Sequence, residues 1–159
     1  MGTRGLIGVV EYNLKDQEEH KRDDISSGIQ FVYNNFDSYP DNLMREIYGR
    51  LQKGDYVQFK KDILSGKFTG VTEKKLINIK QIDYLFHEYV YVLDFLKQRW
   101  FAFESKWKGN LELEAQSTLF AIKNNMGYLK PIGKKKGYLF HEIFDIDKVI
   151  KNYEEKQNG

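Results

Sequence analysis

The chain has 159 residues, 41% of them hydrophobic and 15% aromatic, which points to one domain over residues 1–159 with enough apolar surface for a core. Its 25 Lys and Arg against 23 Asp and Glu leave a net charge of +2, which argues against a dedicated polyanion binder. With no Cys, a disulfide scaffold, a thiol nucleophile and a Cys-ligated zinc are excluded, and no apolar run approaches the roughly 20 residues that span a bilayer.

The opening "MGTRGLIGVV" is too short and too Gly-rich for a signal peptide, and Leu6 stands where a myristoylation motif wants Ser or Thr. The expected setting is therefore cytoplasmic, with no membrane partner. "GLIGVVEY" (5–12) predicts a buried strand, since it is a short apolar run with a β-branched centre. The charged stretch that follows, with Asp16, Glu18, Glu19, Asp23 and Asp24 among Lys15, Lys21 and Arg22, has no apolar period and predicts a solvated loop. "SGIQFVYNNF" then predicts a second strand, so the two form a hairpin with a long tip.

From Asp41 the period changes to that of a helix. Leu43, Met44, Ile47, Tyr48 and Leu51 share one face, and Gly54 interrupts it. Asp55 is a good N-cap for a second helix bearing Tyr56, Phe59, Lys60 and Ile63 on one side, which "SGK" brings to a stop. The segment 72–86 is ambiguous in its pattern and leans to a short helix. In "EYVYVLDFLKQRWFAFES" the alternation of Tyr89, Tyr91, Leu93 and Phe95 with Val90, Val92, Asp94 and Leu96 predicts a strand; "LKQR" turns, and "WFAFE" returns as another. Residues 111–122 fit strand or helix, and "GYLKPIGKKKGYLF" reads as loop, broken by Pro131, Gly133 and Gly137. The end is a helix: Ile146, Val149, Ile150 and Tyr153 share a face behind an Asp145 N-cap. Strands, helices, strands and a last helix predict an α+β fold, an antiparallel sheet with helices packed on it.

Three stretches are candidates for chemistry. In "YNNFDSYP" (33–40) Asp37 and Ser38 fit turn bonds to backbone, Pro40 holds Tyr39 extended, and Asp41 suits a helix start. Those roles leave Asn34 and Asn35 unexplained, so the stretch reads as both a turn and the rim of a site. The pentapeptide "YLFHE" occurs at 84–88 and again at 138–142. Paired, the copies would gather two His and two Glu, but adjacent strand residues face opposite ways and chelate poorly, so no metal is expected. Between Gln116 and His141 lie five Lys and no acid, with Tyr128 and Tyr138 on either side of the cluster at Lys130, Lys134, Lys135 and Lys136. That composition suits nucleic-acid contact and equally suits plain solvated surface. No P-loop, dinucleotide fingerprint, zincin motif or nucleophile elbow is present, so no cofactor is expected.

The opening "MGTRGLIGVV" together with "VYNNFDSYP" resembles a poorly characterised family of small proteins from phages, bacteria, large viruses and fungi. They share a Thr-Arg-Gly start and a "YNHFDSYP"-like segment, and "YVYVLDF" is similar to their Tyr-Val-x-Asp strand. The resemblance covers roughly residues 1–50 and 88–104, and Asn35 replaces the His of that segment. It implies no activity; it implies a viral or mobile-element origin and a spatial cluster of Thr3, Arg4, Asn34, Asn35, Asp37, Tyr39 and Asp94. The leading expectation is a non-enzymatic protein that binds a macromolecular or small-ligand partner. The alternative is a small hydrolase using Thr3 in the manner of an N-terminal nucleophile, with Arg4, Asn34, Asp37 and Asp94 around it; this needs Gly2 removed as well as Met1.

Overall fold

A computed structural model describes residues 4–11, 29–34, 37–69, 88–107, 127–134 and 137–158. Strands β1 (Gly5–Val10) and β2 (Ile29–Asn34) pair antiparallel, with Gly5 opposite Asn34 and Val10 opposite Ile29. Strands β3 (Tyr89–Asp94) and β4 (Arg99–Trp107) form a second antiparallel pair, closed by a turn in which Gln98 has φ 53°. The two pairs join through β1 and β3, which run parallel, Gly5 beside Tyr89 and Val9 beside Leu93. This makes the sheet mixed, although most of its pairings are antiparallel as the sequence predicts.

The expected loop over 127–140 is instead two strands. β5 (Gly127–Pro131) lies antiparallel on β4 with Lys130 opposite Glu104, and β6 (Tyr138–Leu139) pairs with the first residues of β4. Pro131 is tolerated because it ends its strand, at the edge of the β2-β1-β3-β4-β5 order. Between β5 and β6 Gly133 has φ 79°, and any Cβ there would strike the Tyr138 hydroxyl, so the loop requires glycine.

Helix α1 (Arg45–Gln52) is preceded by a π-helical turn, Pro40–Met44; α2 (Tyr56–Leu64) and α3 (Ile146–Asn158) complete the helices. Asp55 occupies the N-cap of α2 as predicted, but it caps through its carbonyl, which accepts the Phe59 N–H at 2.9 Å, and not through its side chain. Asp145 does cap α3 by side chain, accepting the Lys148 N–H at 3.1 Å. Gly66, with φ 82°, ends α2 where the sequence places the stop.

The helices bury one face of the sheet. Ile7, Val9, Val32, Tyr91, Leu93, Trp100 and Ala102 meet Leu43, Met44, Ile47, Leu51, Phe59, Ile63, Ile146 and Ile150. The other face is buried too: Leu6, Val10, Phe31, Val90, Val92, Phe101, Phe103 and Leu129 form a second cluster. Burial on both faces explains why β1 and β3 lack a polar alternation. The charged loop expected after 12, the stretches 72–86 and 111–122 and most of the first "YLFHE" lie outside the described residues.

Candidate functional site

Strand registers place Asn34, Gly5, Tyr89, Glu104 and Lys130 in one row across β2, β1, β3, β4 and β5, at the end of the helix-packed face. One step inward the row is Val32, Ile7, Tyr91 and Ala102, all buried. The face thus changes from apolar to largely polar within a single step.

The "YNNFDSYP" junction closes over this row. Ser38 is fully buried; its hydroxyl accepts the Asn34 side-chain N–H at 2.7 Å and donates to the Asn34 carbonyl at 3.3 Å. Its own carbonyl accepts the Tyr91 hydroxyl at 2.7 Å. A Cβ on Gly5 would come within 2.7 Å of the Ser38 side chain and of the Tyr89 carbonyl, so glycine at this strand position lets Ser38 sit directly on the sheet. Ser38 therefore makes the backbone bond the sequence predicts. Asp37 does not: its carboxylate has no partner among the described residues, and it serves through a backbone at φ 38° whose carbonyl accepts the Asn42 side-chain N–H at 2.8 Å. The short Asp side chain tolerates this left-handed conformation better than most.

Beyond Ser38 the chain exposes the Tyr39 ring, and three tyrosines run in series. Tyr39 and Tyr89 have ring centres 5.6 Å apart, Tyr89 and Tyr153 6.3 Å, and the Tyr89 and Tyr153 hydroxyls are 2.9 Å apart with either able to donate. Burial pushes the Tyr89 phenol up to about 12, and the Glu104, Tyr39 and Glu88 side chains add to this against the hydrogen bond from Tyr153. Burial likewise raises Tyr153, as do its hydrogen bonds to Tyr89 and Glu104. Both phenols therefore stay protonated at neutral pH and act as hydrogen-bonding groups, not as bases.

Tyr153 forms part of the wall of a cleft of about 200 Å³ between the β5 end and α3. Glu104 and Lys130 enter it from the sheet, Ile132 and Gly133 from the loop after β5, and Val149, Asn152 and Lys156 from the helix. Val149, Asn152, Tyr153 and Lys156 follow helical spacing, so α3 presents one continuous face here. Glu104 is paired with Lys106 at 3.0 Å. A second depression, on α1 near Arg50 and Phe68, offers less chemistry: Arg50 is bound to Asp62 at 2.8 Å and stacked on Phe59.

Of the cluster predicted from the resemblance, Arg4, Asn34, Asp37 and Tyr39 gather at this end of the sheet, with the Arg4 carbonyl accepting the Glu88 N–H at 2.9 Å. Asp94 does not join them. It lies at the other end of β3, six residues along the chain from Glu88, roughly 20 Å away at about 3.3 Å per residue. Its alternation also points it to the opposite face, with Val90 and Val92. The Asp94 carboxylate is held at that end by Arg99, whose Nε lies 3.2 Å from it. Thr3 and Asn35 lie outside the described residues, as do Lys135 and Lys136. Lys134 is paired with Glu142 and lies over the Tyr138 ring, while Lys130 lines the cleft, so these two lysines face different surroundings. No group of three or more metal-ligating side chains occurs among the described residues.

Tyr89, Glu104, Asn152, Tyr153 and Lys156 belong to no site motif in the sequence, where Tyr89 and Tyr153 read only as strand and helix-face residues. The signal was present in part: on the face defined by Trp100 and Ala102, position 104 turns acidic, as position 34 turns polar after Val32. No helix among the described residues is long and apolar enough to cross a membrane. In comparison with known proteins the chain matches no family model, no curated protein and no solved structure.

Proposed function

We propose that this protein is a small non-enzymatic binding protein that holds a small polar ligand in the cleft between β5 and α3. The observation that carries this reading is the polar row ending at that cleft, where Glu104, Lys130, Asn152 and Tyr153 converge from three elements on one concavity. At about 200 Å³ the cleft is smaller than the roughly 300–1,000 Å³ of drug-sized sites, so it suits a small molecule or one group of a larger one. Phenols held protonated favour recognition over proton abstraction. The resemblance to small phage and large-virus proteins supplies the accompanying expectation of a viral or mobile-element origin.

The test is amide chemical-shift mapping with uncharged polar fragments (sugars, nucleosides and small amides) at millimolar concentration. Saturable shifts at Ile132, Gly133 and Asn152 are expected for at least one fragment class. Shifts scattered over the surface, or none at those positions for fragments and charged molecules alike, would remove the cleft as a binding site.

A further inference from the structure

The cleft carries information about the charge of what it holds. Lys130 reaches it from β5 and Lys156 from α3, and neither has an ion-pair partner among the described residues. Other cations nearby are already matched: Lys106 by Glu104, Lys134 by Glu142 and Arg45 by Asp147. Glu104, the one acid among the described residues of the cleft wall, is engaged by Lys106 at 3.0 Å and by Tyr153, so it is not left to neutralise both cleft lysines. The acids of α3 at positions 154 and 155 are exposed and, by helical spacing, fall off the face formed by Val149, Asn152, Tyr153 and Lys156. Two cations on separate rigid elements, beside an amide able to donate hydrogen bonds, form a half-site for an oxyanion.

We infer that the cleft recognises the anionic group of its ligand, a phosphate or a carboxylate, between Lys130 and Lys156, with the Asn152 amide completing the contacts. This rests on the small-ligand reading of the cleft and adds the ligand's charge class to it. A phosphate or carboxylate group also fits the small volume, the remainder of the ligand extending past Tyr153 toward the exposed Tyr39 ring.

The experiment uses the whole chain with inorganic phosphate and with malonate as probes, against chloride at matched ionic strength. Amide shifts at Ile132, Gly133 and Asn152 and the melting temperature are read together. A saturable response to phosphate, malonate or both, absent with chloride, is expected. Phosphate alone would assign a phosphate ester, malonate alone a carboxylate. Lys156→Gln, at an exposed position that does not threaten folding, should weaken the response about tenfold, whereas Lys151→Gln, also exposed on α3 but outside the cleft, should leave it unchanged. Equal responses to chloride, or equal loss in the Lys151 and Lys156 variants, would overturn the inference. Uncharged fragments shifting Ile132 and Asn152 while neither anion does so would overturn it too, and would leave the small-ligand reading standing.

Discussion

The two ends of the β3–β4 pair use similar side chains to opposite effect. At the turn, Asp94 is fully buried, its carboxylate taking the Lys97 N–H at 3.0 Å and the Arg99 Nε at 3.2 Å. At the far end, Glu104 stands in the wall of a cleft beside Lys130, Tyr153 and Lys156. The first arrangement is closed around the acid: a cation and the turn backbone both bond its carboxylate, and the group fixes a tight connection. The second is open, since its lysines and amide face a cavity and not one another. A polar residue on a strand is thus not informative by its type; what matters is whether its partners are protein or space.

The contrast is broken most severely at the turn. Asp94→Ala removes an acid from a buried pair and leaves Arg99 without that partner, so the expected loss is about 3–5 kcal/mol of unfolding free energy. Denaturant melts should show it, and cleft-residue shifts with phosphate should be unchanged in whatever fraction remains folded. A small loss, under about 1 kcal/mol, would mean the pair behaves as a surface one and the two ends are alike.

At the cleft end the sensitive variable is alkaline pH. Tyr89 is raised from 10 to about 12. Its proton is bound more tightly in the folded than in the unfolded chain, so the folded state holds more protons between those values and stability falls as pH rises through them. The contribution is complete below pH 10, and on the order of 2 kcal/mol is lost by pH 12. Tyr89→Phe should flatten this part of the stability profile and remove a late-ionising phenol from the ultraviolet titration. An unchanged alkaline profile would show that Tyr89 is solvated like an ordinary surface phenol.

How far these ends were legible in the sequence follows from range. The β3–β4 pairing, the helix faces and the Asp145 cap are set by neighbours close in the chain, and β1 and β2 are consecutive strands, so periodicity reveals them. The parallel join of β1 to β3 is set between segments about eighty residues apart and left no local mark. β5 and β6 were read as loop because Pro131, Gly133 and Gly137 break any pattern; those segments become strands only by pairing with β4. The cleft depends on both of these long-range events, so Glu104 and Tyr153 are out of reach of a local pattern, while Arg4, Asn34 and Tyr39 are within reach because β1 and β2 are consecutive strands. Asp94 was misplaced for the same reason: without the parallel register, nothing says to which end of β3 the N-terminus runs.

Ser38 offers a smaller perturbation of the cleft end. Ser38→Ala removes the acceptor of the buried Asn34 amide and the donor to the Asn34 carbonyl while keeping the Tyr91 bond to its backbone. A loss of about 1–3 kcal/mol is expected, because two buried hydrogen bonds at the junction are removed. Asn34→Ala in the Ser38→Ala background should then add little, since the two act as one unit. Additive losses would show that the junction is not a closed hydrogen-bonded pair.

The least disruptive change is the most discriminating for the junction. Sequence chemistry assigns Asp37 a side-chain bond to backbone, whereas the structure gives it a left-handed backbone and a carboxylate with no partner among the described residues. The two roles order the variants differently. If the carboxylate held the turn, Asp37→Ala and Asp37→Gly would both lose its bond, and the Gly variant would fall further because glycine gives the unfolded chain more freedom. If the backbone at φ 38° is what matters, Ala is penalised there by about 1 kcal/mol while Gly is not. Asp37→Gly should therefore stay within about 1 kcal/mol of the parent and melt above Asp37→Ala. The reverse order, Ala above Gly, would restore the side-chain role and make the turn a capping device after all.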